Sequence, residues 1–122
     1  RYKSTEILFK PNLENLTINS VDKMIFDSIM KCDIDIHKDL FSNIILSGGT
    51  TKFDGFPERL EKEIKKFDVT DCPVNVVAQS DREYGAWIGG SIFASMDEFP
   101  LYAISRYEYN EVGARIVNYR CL

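Results

Sequence analysis

The residues best suited to chemistry are two adjacent glycines, Gly48 and Gly49, which follow an apolar run and precede two threonines. Glycine lets a backbone approach a phosphate or nucleoside closely, because it has no Cβ and can adopt a positive φ. The threonines add hydroxyl groups, and Phe53 offers a flat face for a base. The pattern also fits a simple tight turn. It matches neither the Walker A sequence nor G-x-G-x-x-G.

Metal binding and acid–base catalysis are not indicated elsewhere in the sequence. The cysteines Cys32, Cys72 and Cys121 are far apart, and the one histidine, His37, has no second ligand at metal spacing. We expect reduced thiols in a cytosolic or nuclear protein. The carboxylates are scattered along predicted helices, and no nucleophile stands beside a base. The sequence therefore predicts no catalytic and no metal-binding residue.

The composition is that of an ordinary globular chain. Of 122 residues, 44% are hydrophobic and 28% are charged, and the net charge is -4. Such a chain has no overall basic field for nucleic acid or an anionic membrane, and no apolar run is long enough to span a bilayer. It opens on Arg1 without a signal-peptide pattern, so we expect a piece of a longer protein.

Two short apolar runs predict strands. Residues 43–46, Asn-Ile-Ile-Leu, form a continuous apolar and β-branched run of strand length, which is typical of a strand covered on both faces in a parallel or mixed sheet. Residues 73–78 predict a second strand, with turn residues before it. We call residues 48–51, Gly-Gly-Thr-Thr, the glycine turn. The order strand, glycine turn, helix, strand, loop, helix is α/β organisation. Two strands make only part of a sheet, so we expect the remaining strands in missing sequence or in a partner chain.

Apolar residues at helical spacing predict helices around these strands. One helix follows Ser20, with Asp22 and Asp27 facing away from its apolar side. Another is opened by Pro57 and carries its charges on a solvated face. A short helix near residues 37–41 lies between them. The apolar positions are Val21, Met24, Ile25 and Ile29 in the first helix, Leu40 and Phe41 in the short one, and Leu60, Ile64 and Phe67 in the helix after Pro57.

The C-terminal part of the sequence is dominated by one apolar helix. Residues 84–96 predict this helix, and its composition predicts that it is buried. Gly89 and Gly90 lie inside it at a cost in stability, so we expect another backbone to approach them closely. Residues 99–122 predict short helices and turns, with several tyrosines.

Several long motifs resemble the actin family. LSGGTTKFDGFPERLEKEI, at residues 46–64, resembles the family's LSGGTTMYPG segment and the helix after it. SIMKCDIDIHKDLFSN precedes it and also looks like actin. DREYGAWIGGSIFAS, at residues 81–95, is similar to ERKYSVWIGGSILAS, and the tail RYEYNEVGARIVNYRCL resembles the actin C-terminus. The resemblance runs along the whole chain in order, without insertion or deletion.

The resemblance implies a partial actin/Hsp70-type, ribonuclease H-like ATPase fold, whose two lobes enclose a nucleotide and a divalent metal. The chain would be the C-terminal third, an α/β fragment with few strands and several helices. Residues 1–16 would end one subdomain of the large lobe, 17–84 would form the large-lobe subdomain with the glycine turn, and 85–122 would be the C-terminal part of the small-lobe subdomain.

The resemblance also implies the cofactor. The full-length protein would bind ATP with Mg²⁺ or Ca²⁺ and hydrolyse it slowly. The family's phosphate loops and metal-coordinating aspartates lie outside the present chain. We therefore expect this fragment alone to hold no cofactor and to hydrolyse nothing.

The nucleotide-binding residues follow from the same resemblance. The backbone of the glycine turn would approach the nucleotide, and Phe53 stands where the family has a tyrosine beside the adenine. Lys52 replaces a methionine, and Glu83 replaces a lysine that reaches the adenosine in actins. Lys52 would compensate the reversed charge of Glu83 if the two meet. The implied set is Gly48, Gly49, Thr50, Lys52, Phe53 and Glu83.

A cleft for partner proteins is implied near the C-terminus. In actins the corresponding helix and the segment after it border a hydrophobic cleft used by actin-binding proteins and neighbouring subunits, which suits an amphipathic helix. The alternative is that these side chains are core of their own domain. Ala103 replaces a tryptophan and Glu98 a threonine, which suggests an altered partner set. The cleft residues are Ile88, Ile92, Phe93, Met96 and Tyr102.

Three functions compete. The first is an actin-like, ATP-binding cytoskeletal protein of the cytoplasm, whose partners are other actin-like subunits and actin-binding proteins. The second is a non-polymerising actin-related scaffold or binding subunit of a larger complex, with the nucleus as a possible location. The third is a sugar kinase of the same superfamily, for which no catalytic carboxylate is evident. Neither nucleic acid nor a membrane is an expected partner.

Overall fold

Short helices and one small parallel sheet make up the computed structural model, which describes residues 3–67 and 72–120. The chain divides into two units, Arg1–Gly85 and Ala86–Leu122. No helix among the described residues is both long and apolar enough to cross a membrane. The elements in chain order are α1 (Lys3–Glu6), α2 (Val21–Ile29), α3 (His37–Ser42), β1 (Ile44–Ile45), α4 (Phe56–Ile64), β2 (Val76–Val77), α5 (Gly85–Ala94), α6 (Phe99–Tyr102), α7 (Arg106–Val112) and α8 (Val117–Arg120), with 3₁₀ turns at Pro11–Glu14, Ile34–Ile36, Gly49–Lys52, Lys65–Phe67 and Gly113–Ile116.

The sheet of the first unit consists of β1 and β2, which pair in parallel with Ile44 opposite Val76. The Ile44 N–H donates to the Asn75 carbonyl over 3.1 Å, and the Leu46 N–H donates to the Val77 carbonyl over 2.9 Å. Parallel strands need a crossover connection, and α4 lies in the connection between these two. The predicted α/β class is confirmed, although each strand has only two residues.

Helix α4 is the centre of the hydrophobic core in the first unit. Phe56, Leu60 and Ile64 recur every four residues on one face of this helix, and all three are buried. Gly55, with φ of 74°, precedes the helix in a left-handed conformation that suits glycine. Burial of a leucine or isoleucine side chain contributes about 1.5–3 kcal/mol. The buried cluster is Ile29, Phe41, Ile44, Leu46, Phe56, Leu60, Ile64 and Val74.

The inward face of α2 is confirmed in part, since Val21, Ile25 and Ile29 pack in or against the core as predicted. Two other residues of the helix depart from the prediction. Asp22, predicted to face away, is 6% exposed, and its Oδ1 has no hydrogen-bond partner among the described residues. Met24, predicted to be apolar core, is exposed. The inward stripe runs through Asp22, Phe26 and Ile29, which are spaced by four and three residues and therefore share a face. Met24 lies off this stripe because it is two residues from Asp22 and from Phe26.

Strand β1 is covered on one face, whereas the sequence predicts cover on both. Ile44 is buried in the core, but Ile45 is 70% exposed. Successive side chains of a strand point to opposite faces, so core packing at Ile44 leaves Ile45 on the other side. Among the described residues, nothing covers that second face to the point of burying Ile45.

The helix predicted to be buried in the C-terminal part is not buried. In α5, Trp87 is 75% and Ile92 is 62% exposed, and α5 contains no buried residue. A side chain at Gly89 or Gly90 would meet no described atom within 4 Å, so the expected close approach of another backbone is also wrong. An apolar helix is buried only where another element covers it, and the described residues supply no such cover.

Candidate functional site

The glycine turn lies after β1, at the carboxyl end of the parallel strands, where open α/β sheets bind ligands. Gly48 has φ of 90° and ψ of 153°, which only glycine adopts without strain. The 3₁₀ turn Gly49–Lys52 follows. A Cβ at Gly48 or Gly49 would meet no described atom within 4 Å. The backbone of the turn is therefore open to approach by another molecule.

Arg82 holds the turn from a neighbouring loop, residues 79–84. Its Nε donates to Thr51 Oγ1 over 3.0 Å, and its Nη2 donates to the Thr51 carbonyl over 2.9 Å. The Arg82 carbonyl accepts the Gly48 N–H over 2.9 Å. Thr51 Oγ1 donates to the Gly48 carbonyl over 2.8 Å. Backbone and side chain of one arginine thus hold both ends of the turn.

Lys52 and Glu83 meet. Lys52 Nζ lies 2.8 Å from Glu83 Oε2, and it also donates to the Ser80 carbonyl over 2.6 Å. The two residues are 31 positions apart, so their contact joins the glycine turn to the loop that also carries Arg82. The compensation of Glu83 by Lys52, which the sequence left conditional, is present in the structure.

The whole sequence also matches a known family. A family model for actin matches residues 1–122. The chain belongs to the actin family. This match confirms the family that the motifs around the glycine turn and in the C-terminal part indicated.

In this actin-family chain, the predicted nucleotide-binding residues lie on two connected segments. Five of them share the glycine turn and its exit, and Glu83 joins them through Lys52. The Phe53 side chain is 45% exposed. It borders a groove of about 430 Å³. The groove is also lined by Lys52, by Arg82, by Val76 of β2 and by the α4 residues Pro57, Glu58 and Glu61. The structure thus brings the six residues together, with an exposed aromatic ring beside the turn.

The predicted partner-cleft residues of this actin-family chain lie in the second unit, on α5, on α6 and, for Met96, in the segment between these two helices. Phe93 contacts Tyr102 with ring centroids 5.6 Å apart, and it meets Phe99 edge-on at 5.5 Å. Ile92 and Met96 are exposed, and Ile88 is half-buried. The alternative, that these side chains form the core of their own unit, does not hold for the described residues.

Carboxylates with lowered pKa values lie on other parts of the chain. The Arg59 guanidinium, bonded to Glu6 Oε1 over 2.9 Å, lowers the pKa of Glu6, with help from Lys10. Lys66 and then Arg59 lower the pKa of Glu63, and Glu6 in turn raises that of Arg59. These ion pairs join α1 to α4, lie within α4, or connect a helix to residues just after it, and structural networks of this kind also shift pKa values. No described cluster of histidine, cysteine, aspartate and glutamate could hold a metal ion.

Sequence reasoning missed Arg82 and Ser80, which make the contacts that hold the turn. Both lie in a polar loop, and nothing in their type or spacing distinguishes them from neighbouring loop residues. Arg82 stands beside Glu83 in the motif shared with actins. That position is the one signal in the sequence that could have singled it out.

Proposed function

We propose that this chain is the C-terminal third of an actin-like, ATP-binding cytoskeletal subunit that forms filaments in its full-length form. Membership of the actin family supports the proposal. The observation that carries it is the open glycine turn at the carboxyl end of β1, held by Arg82 and flanked by the exposed Phe53 ring. Its partners would be other actin-like subunits and actin-binding proteins, in the cytoskeleton.

The residues of the turn suit a nucleotide in shape and chemistry. The open space beside Gly48 and Gly49 lets backbone come close to a ligand. The N–H groups of Gly49 and Thr50 stand in the first turn of a 3₁₀ helix, where amides have no acceptor within the helix. The exposed Phe53 ring offers a stacking surface for a base.

The part of this chain in the reaction would be to bind and orient the nucleotide. ATP with Mg²⁺ or Ca²⁺ would supply the phosphoanhydride chemistry. Because the described residues contain no cluster suited to a metal ion, the metal ligands would come from the rest of the protein. The ion pair between Lys52 and Glu83 leaves this side of the turn without a net charge from that pair.

Gly49→Val tests the proposal in the full-length protein. Gly49 has open surroundings and no positive φ, so valine leaves the turn intact while it fills the space for the nucleotide. We expect ATP affinity, measured by titration calorimetry with Mg²⁺, to fall at least about tenfold, or about 1.4 kcal/mol. The matched control is Gly90→Val, at a glycine of α5 that also has open surroundings. Unchanged affinity in Gly49→Val, or no ATP binding by the parent protein, would contradict the proposal.

A non-polymerising actin-related scaffold, acting as a subunit of a larger complex, is the second candidate. The ion pair favours it, because the lysine that reaches the adenosine in actins is here a glutamate bonded to Lys52. Ala103 and Glu98 replace a tryptophan and a threonine of the family, which favours an altered partner set. Sedimentation of the full-length protein with ATP and Mg²⁺ separates the two candidates. A scaffold stays in the supernatant, and robust pelleting excludes it.

A further inference from the structure

The glycine turn and the loop at residues 79–84 each send a cationic side chain to the other. Arg82 leaves the loop and donates to the hydroxyl and carbonyl oxygens of Thr51 in the turn, over 3.0 and 2.9 Å. Lys52 leaves the turn and bonds the Ser80 carbonyl and the Glu83 carboxylate in the loop, over 2.6 and 2.8 Å. The two sets of contacts run in opposite directions across the same gap.

One backbone hydrogen bond lies between these two sets of contacts. The Gly48 N–H donates to the Arg82 carbonyl over 2.9 Å. The turn cannot move away from the loop without breaking this bond. Glycine places little restraint of its own on the backbone, so the conformation of the turn depends on what holds it from outside.

We propose that Lys52 and Glu83, together with Arg82, form a reciprocal clamp that sets how often the glycine turn opens away from the loop. In this role Glu83 is a positioning residue, which acts through Lys52. A further part of this proposal rests on the proposed function. If the full-length protein binds a nucleotide at the glycine turn, the clamp governs the rate at which that nucleotide leaves. Loosening the clamp accelerates release without abolishing binding.

The solvent exposure of the Lys52–Glu83 ion pair determines how strongly its loss should change the opening of the glycine turn. The Lys52 and Glu83 side chains are 39% and 33% exposed, so solvent screens their attraction in part. Pairs of this kind contribute modestly, and loss of one changes an opening equilibrium by about two- to fivefold. Lys52 has a second bond, to the Ser80 carbonyl, which Glu83 does not share. Removal of Lys52 is therefore the larger perturbation.

Hydrogen exchange at the Gly48 amide tests the clamp directly in the nucleotide-free full-length protein. We expect exchange to be about threefold faster in Lys52→Met and about twofold faster in Glu83→Gln. The double variant should equal Lys52→Met alone, because Glu83 has no partner to lose once Lys52 is gone. The matched controls are Lys62→Met and Asp81→Asn, two exposed residues whose side chains form no ion pair with a described residue. Unchanged exchange in Lys52→Met, or single effects that multiply in the double variant, overturns the clamp.

Salt provides a second test, because a structural role without an ion pair would not respond to it in this way. Raised ionic strength weakens a partly exposed pair. Exchange at Gly48 should therefore accelerate with sodium chloride in the parent protein and respond less in Lys52→Met. Equal salt responses in the two proteins count against the pair as the source of the restraint.

Release of a fluorescent etheno-ATP probe from the full-length protein tests the link to the nucleotide. We expect release to be about threefold faster in Lys52→Met, in step with exchange. If the parent protein does not bind the probe, the proposed function fails, while the exchange measurements still decide the clamp. If the probe binds but its release is unchanged where exchange is faster, the link between clamp and nucleotide is overturned.

Discussion

The two units of the chain bury their apolar side chains to different extents. In the first unit Phe41, Leu60 and Ile64 are almost completely buried and belong to one cluster. In the second, Ile116 is the one buried apolar residue among those described, while Trp87 and Tyr107 are exposed. Both units are rich in apolar residues. The difference therefore lies in what covers them, since the hydrophobic effect stabilises only the surface that is removed from water.

The second unit is held mainly by local interactions. Helix α7 begins with a capping box, in which the Glu108 N–H donates to Ser105 Oγ over 3.2 Å and the Ser105 N–H donates to Glu108 Oε2 over 2.9 Å. Arg120 lies 3.3 Å from Glu108 and connects α8 to this cap. Interactions of this kind shape individual helices, but each contributes little compared with a packed core.

Truncation of one apolar residue in each unit should separate them most clearly. Leu60→Ala leaves a cavity in the core of the first unit, so we expect its free energy of unfolding to fall by about 3 kcal/mol. Ile92→Ala removes a side chain that is largely in water, so the change should stay below about 0.5 kcal/mol. Urea denaturation of residues 1–122, followed by far-UV circular dichroism, measures both.

The single tryptophan gives this comparison an independent control. Trp87 lies on α5 in the second unit and is exposed, so its fluorescence should show the red-shifted emission of an indole in water before denaturant is added. A blue-shifted emission would mean that α5 is covered in solution. So would a decrease in the free energy of unfolding in Ile92→Ala as large as the decrease in Leu60→Ala.

The sequence predicts α4 of the first unit well because this helix carries local signals. Helix α4 has Pro57 in its first turn, charges on one side and apolar residues on the other, and the structure places Leu60 and Ile64 in the core as expected. The burial of α5 is predicted wrongly for a physical reason. An apolar sequence shows that a helix needs cover, but the cover itself is supplied by other residues.

The candidate site shows the same limit. The glycine turn is recognisable from its residue types and from the actin-like motifs around it. The side chains that hold it come from a loop about 30 positions later, and the fold alone brings Arg82 to Thr51 and Glu83 to Lys52. Contacts of this kind have no local pattern in a sequence, which is why Arg82 was missed.

Asp22 shows that even the well-packed first unit contains an unfavourable element. Its Oδ1 is buried without a partner among the described residues, which costs about 1–3 kcal/mol. Its position in the first turn of α2 stabilises the folded state by about 0.3–1 kcal/mol, because a negative charge is favourable at the N-terminus of a helix. The cost is larger, so Asp22→Ala should raise the free energy of unfolding by about 1 kcal/mol in the same urea experiment.

Asp27→Ala is the matched control for Asp22→Ala. Asp27 lies on the same helix and is paired with Lys23 over 2.6 Å, so its removal should be neutral or slightly destabilising. A loss of stability in Asp22→Ala would show that the carboxylate makes a favourable interaction in solution. The first unit would then be better optimised than its packing indicates.

The smallest expected difference between the two units is in the pKa values of one carboxylate in each, which acid titration measures. In the first unit Arg59 lowers the pKa of Glu6, and in the second the Ser105 backbone N–H, followed by its hydroxyl, lowers the pKa of Glu108. Each pKa lies below its ordinary value of 4.5, so each group stabilises the folded state fully above that pH. The contribution is lost as the pH falls below 4.5 and through the folded-state pKa.

Carboxyl titration by NMR can assign each shift to its unit. In Arg59→Met the pKa of Glu6 should rise toward 4.5 while that of Glu108 stays unchanged, because these carboxylates depend on different partners. In Ser105→Ala the pKa of Glu108 should rise only in part, since the backbone N–H of residue 105 can still donate to it. Each variant is thus the control for the other. A rise of both pKa values in Arg59→Met would show that the carboxylates of the two units do not titrate independently. It would contradict the conclusion that Glu6 and Glu108 are each stabilised by partners in their own unit.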